Sequence, residues 1–550
     1  MRAEGLSEPL PSSVSPQPKP ASWLTRWGFV LTVGMLTLAS LVLLAASSIP
    51  LGIPGEWTWA RRDLGEIDPL TVLQGLLLAA GYWGVVRWGA TASPRPVLLC
   101  LLAFGWLYGL LFVSPEFQGL GRSPTVLYYK RTEGYFWQAA FEVQDSRAFL
   151  HSYRNSISTG DDPDRYLHLG THPPGLTLAY RGLLSVMESS PKLTEALIAI
   201  EPPAMHEAFD SLRQFPTPRH QALTLVEEAT LWAATLLTLL ATAGACWPIY
   251  RLTARMSDPL TAWRAAALWP LVPSLLVFFP KSDLLCPVIA TTSCWLWLDG
   301  WSRQCWGRCV LAGVGFFCGL MLTLALAPIA LLLTIQTVLE RWTRREEFRD
   351  RPARADALCV LAAVAGLALP LAVLAWWGSC HPLAIWMQNL QNHGMFYDHN
   401  SRSYLGWLAV NPLEAAFALG LPIACLVGMG MKRIPFDRSP GPREPRKAPS
   451  IAFSQTLAWF GVWAFLWLSG KNMGEAARLW IFLAPWPVMT AAIALSPKHH
   501  VSAESDSLVA KSSLLSDGGC WELLLALQLV ACVLTATTVD GFHFAELLPK

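Results

Sequence analysis

The chain has 550 residues, of which 53% are hydrophobic and only 15% charged, and its mean hydropathy is +0.37. So apolar a composition at this length excludes a soluble globular protein and predicts a membrane protein with many spans. The net charge at pH 7 is +2 and no long basic run occurs, so nucleic acid is not an expected partner.

Residues 1–26 are rich in Pro and Ser and contain no apolar core ahead of a cleavage site. This pattern predicts a disordered cytoplasmic tail rather than a signal peptide. We divide the remainder into N-terminal transmembrane helices at 27–114, a large polar interval at 115–222, and a C-terminal transmembrane bundle at 223–550.

Apolar segments of about 20 residues are long enough to cross a bilayer. We predict spans at 27–49, 70–89, 97–113, 226–250, 262–279, 283–299, 308–323, 326–340, 356–376, 411–431, 453–469, 479–496 and 519–538. The run at 308–340 is divided near Ala325, because one helix of that length would overshoot the bilayer by about ten residues. The predicted fold is an all-α polytopic bundle of about 13 transmembrane helices.

Basic residues predict the orientation, because short cytoplasmic loops carry an excess of Lys and Arg. With the N-terminus inside, the two largest basic clusters, Arg341–Arg354 and Lys432–Lys447, both fall on the cytoplasmic side. The short outer loops then hold few basic residues. The sequence therefore predicts a cytoplasmic N-terminus and an extracytoplasmic interval at 115–222.

This outer interval has short apolar patterns of helical period. Phe136, Ala140, Val143 and Leu150 are spaced as on one face of an amphipathic helix lying in the interface. A second such helix is predicted at 176–187. We therefore expect a large extracytoplasmic loop that carries interfacial helices.

The loop contains Thr-Glu-Gly-Tyr-Phe-Trp-Gln-Ala at 132–139 and His-Pro-Pro-Gly at 172–175. This order resembles the membrane glycosyltransferases of the GT-C superfamily, whose first large outer loop has Asp-Glu-x-Tyr-Tyr-x-x-Ala followed by His-Pro-Pro. The resemblance covers the loop and the span after it. It implies a GT-C-like bundle and an inverting transfer from a polyprenyl-phosphate sugar to a lipid, glycan or protein acceptor, as in protein mannosyltransferases and aminoarabinose transferases.

The resemblance also implies a catalytic carboxylate, which in much of the family is the first acid of the pair. This chain has Thr132 there, which cannot act as a carboxylate base. Either Glu133 has taken the role or Asp145 has, and both are predicted catalytic residues. A positioned carboxylate can activate an acceptor hydroxyl as general base, which contributes roughly 10²–10⁴-fold.

The leaving lipid phosphate is already a stable anion, so the site needs cations to hold it. The outer segment 392–407 supplies the predicted donor-binding residues His393, Arg402 and Tyr404. The outer segment 471–480 supplies Lys471, Glu475 and Arg478, of which the last two are three residues apart and hence on one helical face. His172 completes the predicted set, and Lys281 and Asp283 lie in a third outer turn.

These residues also have structural interpretations. Glu133 is equally consistent with a solvated acid beside Lys130 and Arg131, His172 with a helix cap, and Arg478 with an interfacial anchor. No His-x-x-x-His or Cys-x-x-Cys spacing occurs on the predicted outer face, so no metal or other cofactor is predicted, although some relatives use a divalent ion.

Two other functional classes remain open. A secondary transporter fits the number of spans, but transporters tend to have interrupted helices and ionisable residues near the midplane, neither of which the sequence indicates. A non-catalytic membrane protein that binds lipid or glycan would give Glu133 no special role.

Overall fold

A computed structural model describes residues 23–46, 48–91, 95–115, 118–158, 169–214, 222–434, 451–496 and 518–543. Within these ranges the chain is helical apart from connecting loops and one small antiparallel hairpin, Gly52–Ile53 (β1) with Trp57–Thr58 (β2). Residues 1–22 of the predicted tail lie outside the described residues. The first helix begins at Trp23, so the last four residues of that predicted tail are helical.

Three long helices precede the polar interval: Trp23–Ala45 (α1), Pro69–Thr91 (α2) and Pro96–Val113 (α3). Both α1 and α2 pack against the last helix of the chain, Gly518–Thr538 (α24). The loop between α1 and α2 holds the hairpin and the 3-10 turn Leu64–Glu66. Arg62 in this loop donates to the Thr537 carbonyl at 2.7 Å and pairs with Asp540, so the loop is attached to the end of α24.

The described part of the polar interval forms six helices: Ser123–Tyr128 (α4), Tyr135–Trp137 (α5), Ser146–Ser158 (α6), Gly175–Ser189 (α7), Pro191–Ala199 (α8) and Pro203–Arg213 (α9). The 3-10 turn Leu120–Arg122 precedes α4 and the π turn Gln138–Glu142 follows α5. The prediction of a helix at 176–187 is confirmed by α7, whose buried face includes Leu176, Tyr180 and Leu184.

The prediction of one amphipathic helix through Phe136 and Leu150 is wrong. The π turn ends at Val143 in an extended conformation, and α6 starts afresh after Asp145. Phe136 and Leu150 are both fully buried within the protein, although they belong to different hydrophobic clusters. The apolar period therefore reflects burial at several places along an irregular chain rather than one interfacial helix.

The remaining helices are Leu225–Gly244 (α10), Cys246–Ala254 (α11), Pro259–Leu268 (α12), Ser274–Val277 (α13), Cys286–Arg303 (α14), Trp306–Leu322 (α15), Pro328–Thr343 (α16), Ala353–Gly378 (α17), Pro382–His399 (α18), Tyr404–Leu419 (α19), Leu421–Arg433 (α20), Ile451–Leu468 (α21), Ala476–Leu479 (α22), Pro485–Ile493 (α23) and α24. Short 3-10 turns connect several of them, at Trp269–Leu271, Ser282–Leu285, Leu324–Leu326 and Ile481–Leu483. At the start of α10, Thr224 and Glu227 form a reciprocal capping box, which satisfies backbone N–H groups of the first turn.

Nine helical segments in the described part of the chain are long and apolar enough to cross a membrane. They are Trp27–Ala45, Pro69–Ala90, Pro96–Val113, Leu225–Ala254, Pro259–Val277, Leu324–Thr343, Ala353–Gly378, Ile451–Leu468 and Gly519–Thr538. A tenth arises if α19 and α20 form one broken span. The chain is therefore an all-α protein with the helices of a multi-pass membrane protein, but the predicted count of thirteen is not confirmed.

The other predicted spans do form helices that are shorter or less apolar. The helix α15 has 17 residues, and the helical stretch Ile481–Ile493 is shorter still. The helix α14 has 18 residues but includes three consecutive hydroxyl side chains at 291–293 and the acid Asp299. The predicted break near Ala325 is confirmed, because the 3-10 turn Leu324–Leu326 separates α15 from α16.

One interrupted helix corrects the prediction that none occurs. The axes of α19 and α20 differ by 107° across Gly420, which has φ of +83°. Gln528 of α24 donates to the Leu419 carbonyl at 3.0 Å and accepts from the Ile423 N–H at 3.3 Å. One side-chain amide thus replaces backbone hydrogen bonds on both sides of the break.

Candidate functional site

Glu133 lies in a tight loop between α4 and α5. The backbone N–H groups of Thr132 and Glu133 both donate to the Tyr129 carbonyl, each at 3.3 Å. Gly134 follows with φ of +84°, and a Cβ there would stand 2.7 Å from the Lys130 carbonyl oxygen. Because only glycine adopts this conformation without a steric cost, Gly134 allows the chain to turn directly after Glu133.

Thr132, which occupies the position of the family's first acid, has a structural role. Its side chain is fully buried, and the Thr132 hydroxyl lies 2.6 Å from the Val126 carbonyl and 2.8 Å from the Tyr129 carbonyl. The Thr132 carbonyl accepts a hydrogen bond from the Lys281 amine. Thr132 therefore holds the loop together and joins it to the turn at 280–283.

The Glu133 carboxylate is anchored through one oxygen only. Glu133 is 2% exposed, and its Oε1 accepts from the Ser282 N–H at 2.6 Å. Its Oε2 is buried and has no hydrogen-bond partner among the described residues. Burial raises the pKa of Glu133, while the nearby charge of Lys281 and the Ser282 hydrogen bonds oppose that rise. One carboxylate oxygen is thus positioned and the other remains able to accept a proton.

Lys281 places a buried cation beside this carboxylate. The residue is 3% exposed, and its ammonium lies 5.1 Å from the centroid of the Phe542 ring. Burial lowers the pKa of Lys281 to about 8, aided by the positive charge of Arg478, whereas Glu133 acts in the opposite direction. The amine therefore changes its charge close to physiological pH.

Arg478 connects this part of the site to two further acids. Its Nη2 lies 2.7 Å from Glu475 Oε2 and its Nε lies 3.6 Å from Asp283 Oδ2. Arg402 Nη2 lies 3.5 Å from the other oxygen of Glu475. The contacts produce an assembly of alternating charge that we name the charged cluster: Glu133, Lys281, Asp283, Arg402, Glu475 and Arg478.

Glu475 and Arg478 were predicted to share one helical face. In the structure their side chains do pair, although only Arg478 lies within the helix. Glu475 precedes the first residue of α22 and has φ of +58°, and Arg478 lies within the helix. The structure brings four segments together here, at 132–139, 280–283, 392–407 and 471–480. The sequence predicts that they share one side of the membrane but predicts no contacts between them.

Tyr135 joins the His-Pro-Pro motif to the charged cluster. The buried Tyr135 ring meets the His172 ring edge to face, with centroids 5.9 Å apart. The His172 carbonyl accepts from the Tyr153 hydroxyl at 2.8 Å and from Asn389 Nδ2 at 2.9 Å, and the His172 Nδ1 lies 3.0 Å from the Thr171 hydroxyl. The two motifs therefore lie next to each other, although His172 does not contact Glu133 directly among the described contacts.

Tyr397 and Tyr404 attach the segment at 392–407 to the loop at 468–473. The Tyr397 hydroxyl donates to the Lys471 carbonyl at 2.8 Å and accepts from the Met473 N–H at 3.0 Å. The Tyr404 hydroxyl donates to the Leu468 carbonyl at 2.8 Å. These hydrogen bonds join the segments 392–407 and 468–473 into one framework. Tyr404 and Lys471, both predicted donor-binding residues, are exposed parts of it.

His393 belongs to the same framework. Its ring meets the Tyr397 ring with centroids 6.4 Å apart. Burial lowers the pKa of His393, and the charge of Lys471 lowers it further. The imidazole is therefore neutral at physiological pH and can serve as a hydrogen-bonding group rather than a cation.

Asp145 has a different environment from Glu133. Its side chain is exposed, and Asp145 Oδ1 accepts from the Ala148 N–H at 2.6 Å at the start of α6. This is the geometry of a helix N-cap. None of its contacts within the described residues reaches the charged cluster, whereas Glu133 is buried within that cluster.

An apolar cavity of about 280 Å³ opens beside α22. Its lining includes Ala477, which precedes Arg478 in α22, together with aromatic side chains at Phe460, Trp463 and Trp480. Apolar and aromatic walls suit a ligand that has an apolar chain. The lining contains no residue of the charged cluster, but α22 carries both Ala477 of the lining and Arg478 of the cluster.

Several site residues were not among the predicted binding set. Ser282 contributes through its backbone N–H, and Tyr135 through its position between two motifs. The sequence predicts an outer turn that contains Lys281 and Asp283. Neither periodicity nor residue spacing predicts that this turn contacts the loop at 132–135. A cation in a short turn between two apolar segments was the sequence feature that could have indicated it.

Comparisons with known proteins leave the family open. No protein-family model matches the sequence, and no curated protein matches it either. The resemblance to GT-C glycosyltransferases therefore stays a prediction carried by the motifs at 132–139 and 172–175.

Proposed function

We propose that this chain is a membrane glycosyltransferase of GT-C type that moves a sugar from a polyprenyl-phosphate donor to an acceptor hydroxyl on the extracytoplasmic face. The observation that carries the proposal is the Glu133 carboxylate, which has one oxygen held by Ser282 and the other buried without a partner. A buried unpaired oxygen costs about 1–3 kcal/mol, and an acceptor hydroxyl that donates to Glu133 Oε2 would remove this cost.

In the proposed reaction Glu133 Oε2 takes the proton of the acceptor hydroxyl. The acceptor oxygen attacks the anomeric carbon of the sugar from the face opposite the phosphate. The bond from that carbon to the phosphate oxygen breaks, and polyprenyl phosphate leaves with the bonding electrons. The configuration at the anomeric carbon is inverted, and no acid is needed because the leaving phosphate is a stable anion.

The cations of the charged cluster suit the leaving phosphate. Lys281 and Arg478 are close to Glu133, and Arg402 extends the positive charge along the outer segments. Buried cations stabilise developing negative charge more strongly than exposed ones, because little water screens them. The apolar cavity beside α22 would take the first part of the lipid tail.

The activity test uses the purified full chain in detergent with labelled sugar on a polyprenyl phosphate. Label should move to an acceptor fraction and polyprenyl phosphate should accumulate in equal amount. The same sugar supplied on a nucleotide should give no product. If no polyprenyl-phosphate sugar is turned over with any acceptor fraction, the proposed class is wrong.

One observation favours a second candidate, a secondary transporter. Such proteins have broken helices and buried ionisable residues, and α19 carries the buried Glu414 in a pair of helices bent by 107°. Glu414 Oε1 accepts from Trp59 Nε1 at 3.2 Å and from the Ala477 N–H at 3.1 Å. Counterflow of labelled solute in sealed proteoliposomes without chemical conversion would support this candidate instead.

A further inference from the structure

A second group of ionisable residues lies away from the charged cluster, where α9 meets the start of α10. Glu201 precedes α9, His206 lies on its first turns, and Glu228 lies in the first turn of α10. One ligand atom from each of these three residues lies within 4.8 Å of the others. The proposed glycosyltransferase reaction uses none of them.

Both carboxylates are buried with oxygens that lack partners. The side chain of Glu201 is 2% exposed and that of Glu228 is fully buried. Both oxygens of Glu201 and Oε1 of Glu228 have no hydrogen-bond partner among the described residues. Two buried carboxylates facing each other in this way are costly unless a cation or a proton lies between them.

The distances suit a metal ion. His206 Nδ1 lies 3.6 Å from Glu201 Oε2 and 3.9 Å from Glu228 Oε1. A tetrahedral Zn²⁺ with bonds of about 2.0–2.1 Å holds pairs of ligand atoms about 3.3 Å apart. The two distances from His206 exceed that value by about 0.3 and 0.6 Å, and the exposed His206 side chain is free to move closer to both carboxylates.

The charges around the group also suit a divalent ion. Arg213 pairs with Glu228 Oε2 and lies 2.6 Å from Asp210 Oδ1, and Asp210 in turn lies 3.8 Å from His206 Nε2. Three carboxylates and one guanidinium leave two negative charges when the imidazole is neutral. Arg213 binds one oxygen of Glu228 and leaves the other facing Glu201 and His206.

We propose that Glu201, His206 and Glu228 bind one divalent transition-metal ion, for which Zn²⁺ is the best fit, and that this ion ties α9 to the start of α10. Two carboxylates and one imidazole are ligands that Zn²⁺ accepts, and a position is left for water. The ligands are five and 22 residues apart along the chain, a spacing outside the motifs on which the sequence prediction of no metal rests.

The binding test uses the full chain in detergent, first stripped with a chelator and then titrated with Zn²⁺ against a competing chromophoric chelator. The wild type should bind one ion tightly and unfold at a higher temperature when it is loaded. His206→Gln and Glu201→Gln should each weaken binding at this site by about tenfold or more. Glu207→Gln removes the same charge from the exposed neighbour of His206 and should bind as the wild type does.

Three outcomes would overturn the proposal. The first is that the wild type binds no stoichiometric Zn²⁺. The second is that the Glu201 and His206 variants bind Zn²⁺ as tightly as the wild type does. The third is a thiolate charge-transfer band after Co²⁺ replaces Zn²⁺, which would place the ion on cysteine. His206 is exposed, so His206→Gln should fold even if Glu201→Gln does not.

Discussion

Glu133 and Ser282 are 149 residues apart in the sequence, yet the Glu133 carboxylate accepts a 2.6 Å hydrogen bond from the Ser282 backbone N–H. Next to this contact, the Lys281 amine donates to the carbonyl of Thr132. The loop at 132–134 and the turn at 281–282 are thus joined by two hydrogen bonds, and the turn donates both of them. This pairing positions a carboxylate and a cation side by side in a buried site.

The buried amine of Lys281 should give the transfer reaction an alkaline limit. Its pKa is lowered to about 8, so the amine is charged below that pH and becomes neutral above it. If its charge stabilises the leaving phosphate, kcat/KM should fall as pH rises through about 8. Lys281→Arg should move this fall to higher pH, because a guanidinium stays protonated.

The control for this pH profile is Lys192→Arg, at an exposed position on α8. This variant should leave the alkaline fall in kcat/KM at the same pH as in the wild type. An unchanged alkaline limb in a folded and active Lys281→Arg variant would show that another group sets it.

Arg478→Lys should weaken donor binding although the charge is retained. The guanidinium of Arg478 contacts Glu475 and Asp283 through different nitrogens, which a single ammonium cannot reproduce. Loss of one charge-assisted hydrogen bond from this guanidinium to the donor phosphate would cost about 1.5–3 kcal/mol. We expect the KM for polyprenyl-phosphate sugar to rise about 10–100-fold.

Arg181→Lys is the matched control for this substitution. Arg181 also donates through two nitrogens, in this case to Glu188 of the same helix α7, but it lies outside the charged cluster. The KM of the Arg181→Lys variant for polyprenyl-phosphate sugar should equal that of the wild type. Equal KM values for the Arg478 and Arg181 variants would contradict the role given to Arg478.

Gly134→Ala should destabilise the loop that carries Glu133. A side chain at φ of +84° costs about 1–2 kcal/mol, and the new Cβ would also meet the Lys130 carbonyl. Gly182→Ala, in α7 with open space around its Cβ position, should be neutral or stabilising by about 0.5–1 kcal/mol. Unfolding in detergent compares the two, and equal stabilities would argue against a conformational role for Gly134.

Asp145 offers a test of the competing carboxylate. As an N-cap of α6, its replacement by Ala should cost about 0.5–2 kcal/mol, whereas Asn should cap nearly as well. Asp145→Asn should therefore retain both stability and sugar transfer. A folded Asp145→Asn variant without transfer would make Asp145 the base in place of Glu133.

Hydropathy predicted those features of the fold that depend on local composition. The helix α7 and the break at Ala325 follow from apolar period and from length, and both are confirmed. The bend at Gly420 was missed, because its broken hydrogen bonds are replaced by Gln528 more than a hundred residues away. Window averages over one segment contain no information about such a partner.

The site shows the same limit. Glu133 and Arg478 could be selected from the sequence because ionisable residues are scarce near apolar spans. Their environment depends on Ser282 and Asp283, which the fold brings in from a distant turn. No sequence pattern indicated that Asp145 caps a helix at the surface while Glu133 is buried. Burial is a property of the packed structure.

The most direct test of the proposed reaction compares Glu133→Gln with Glu142→Gln in the transfer of labelled sugar from polyprenyl phosphate. Glutamine preserves the shape of Glu133 but cannot accept the acceptor's proton, so kcat should fall about 10²–10⁴-fold. Glu142 is an exposed acid of the same loop, and its variant should turn over at the wild-type rate. A folded Glu133→Gln variant with wild-type kcat would contradict the central claim.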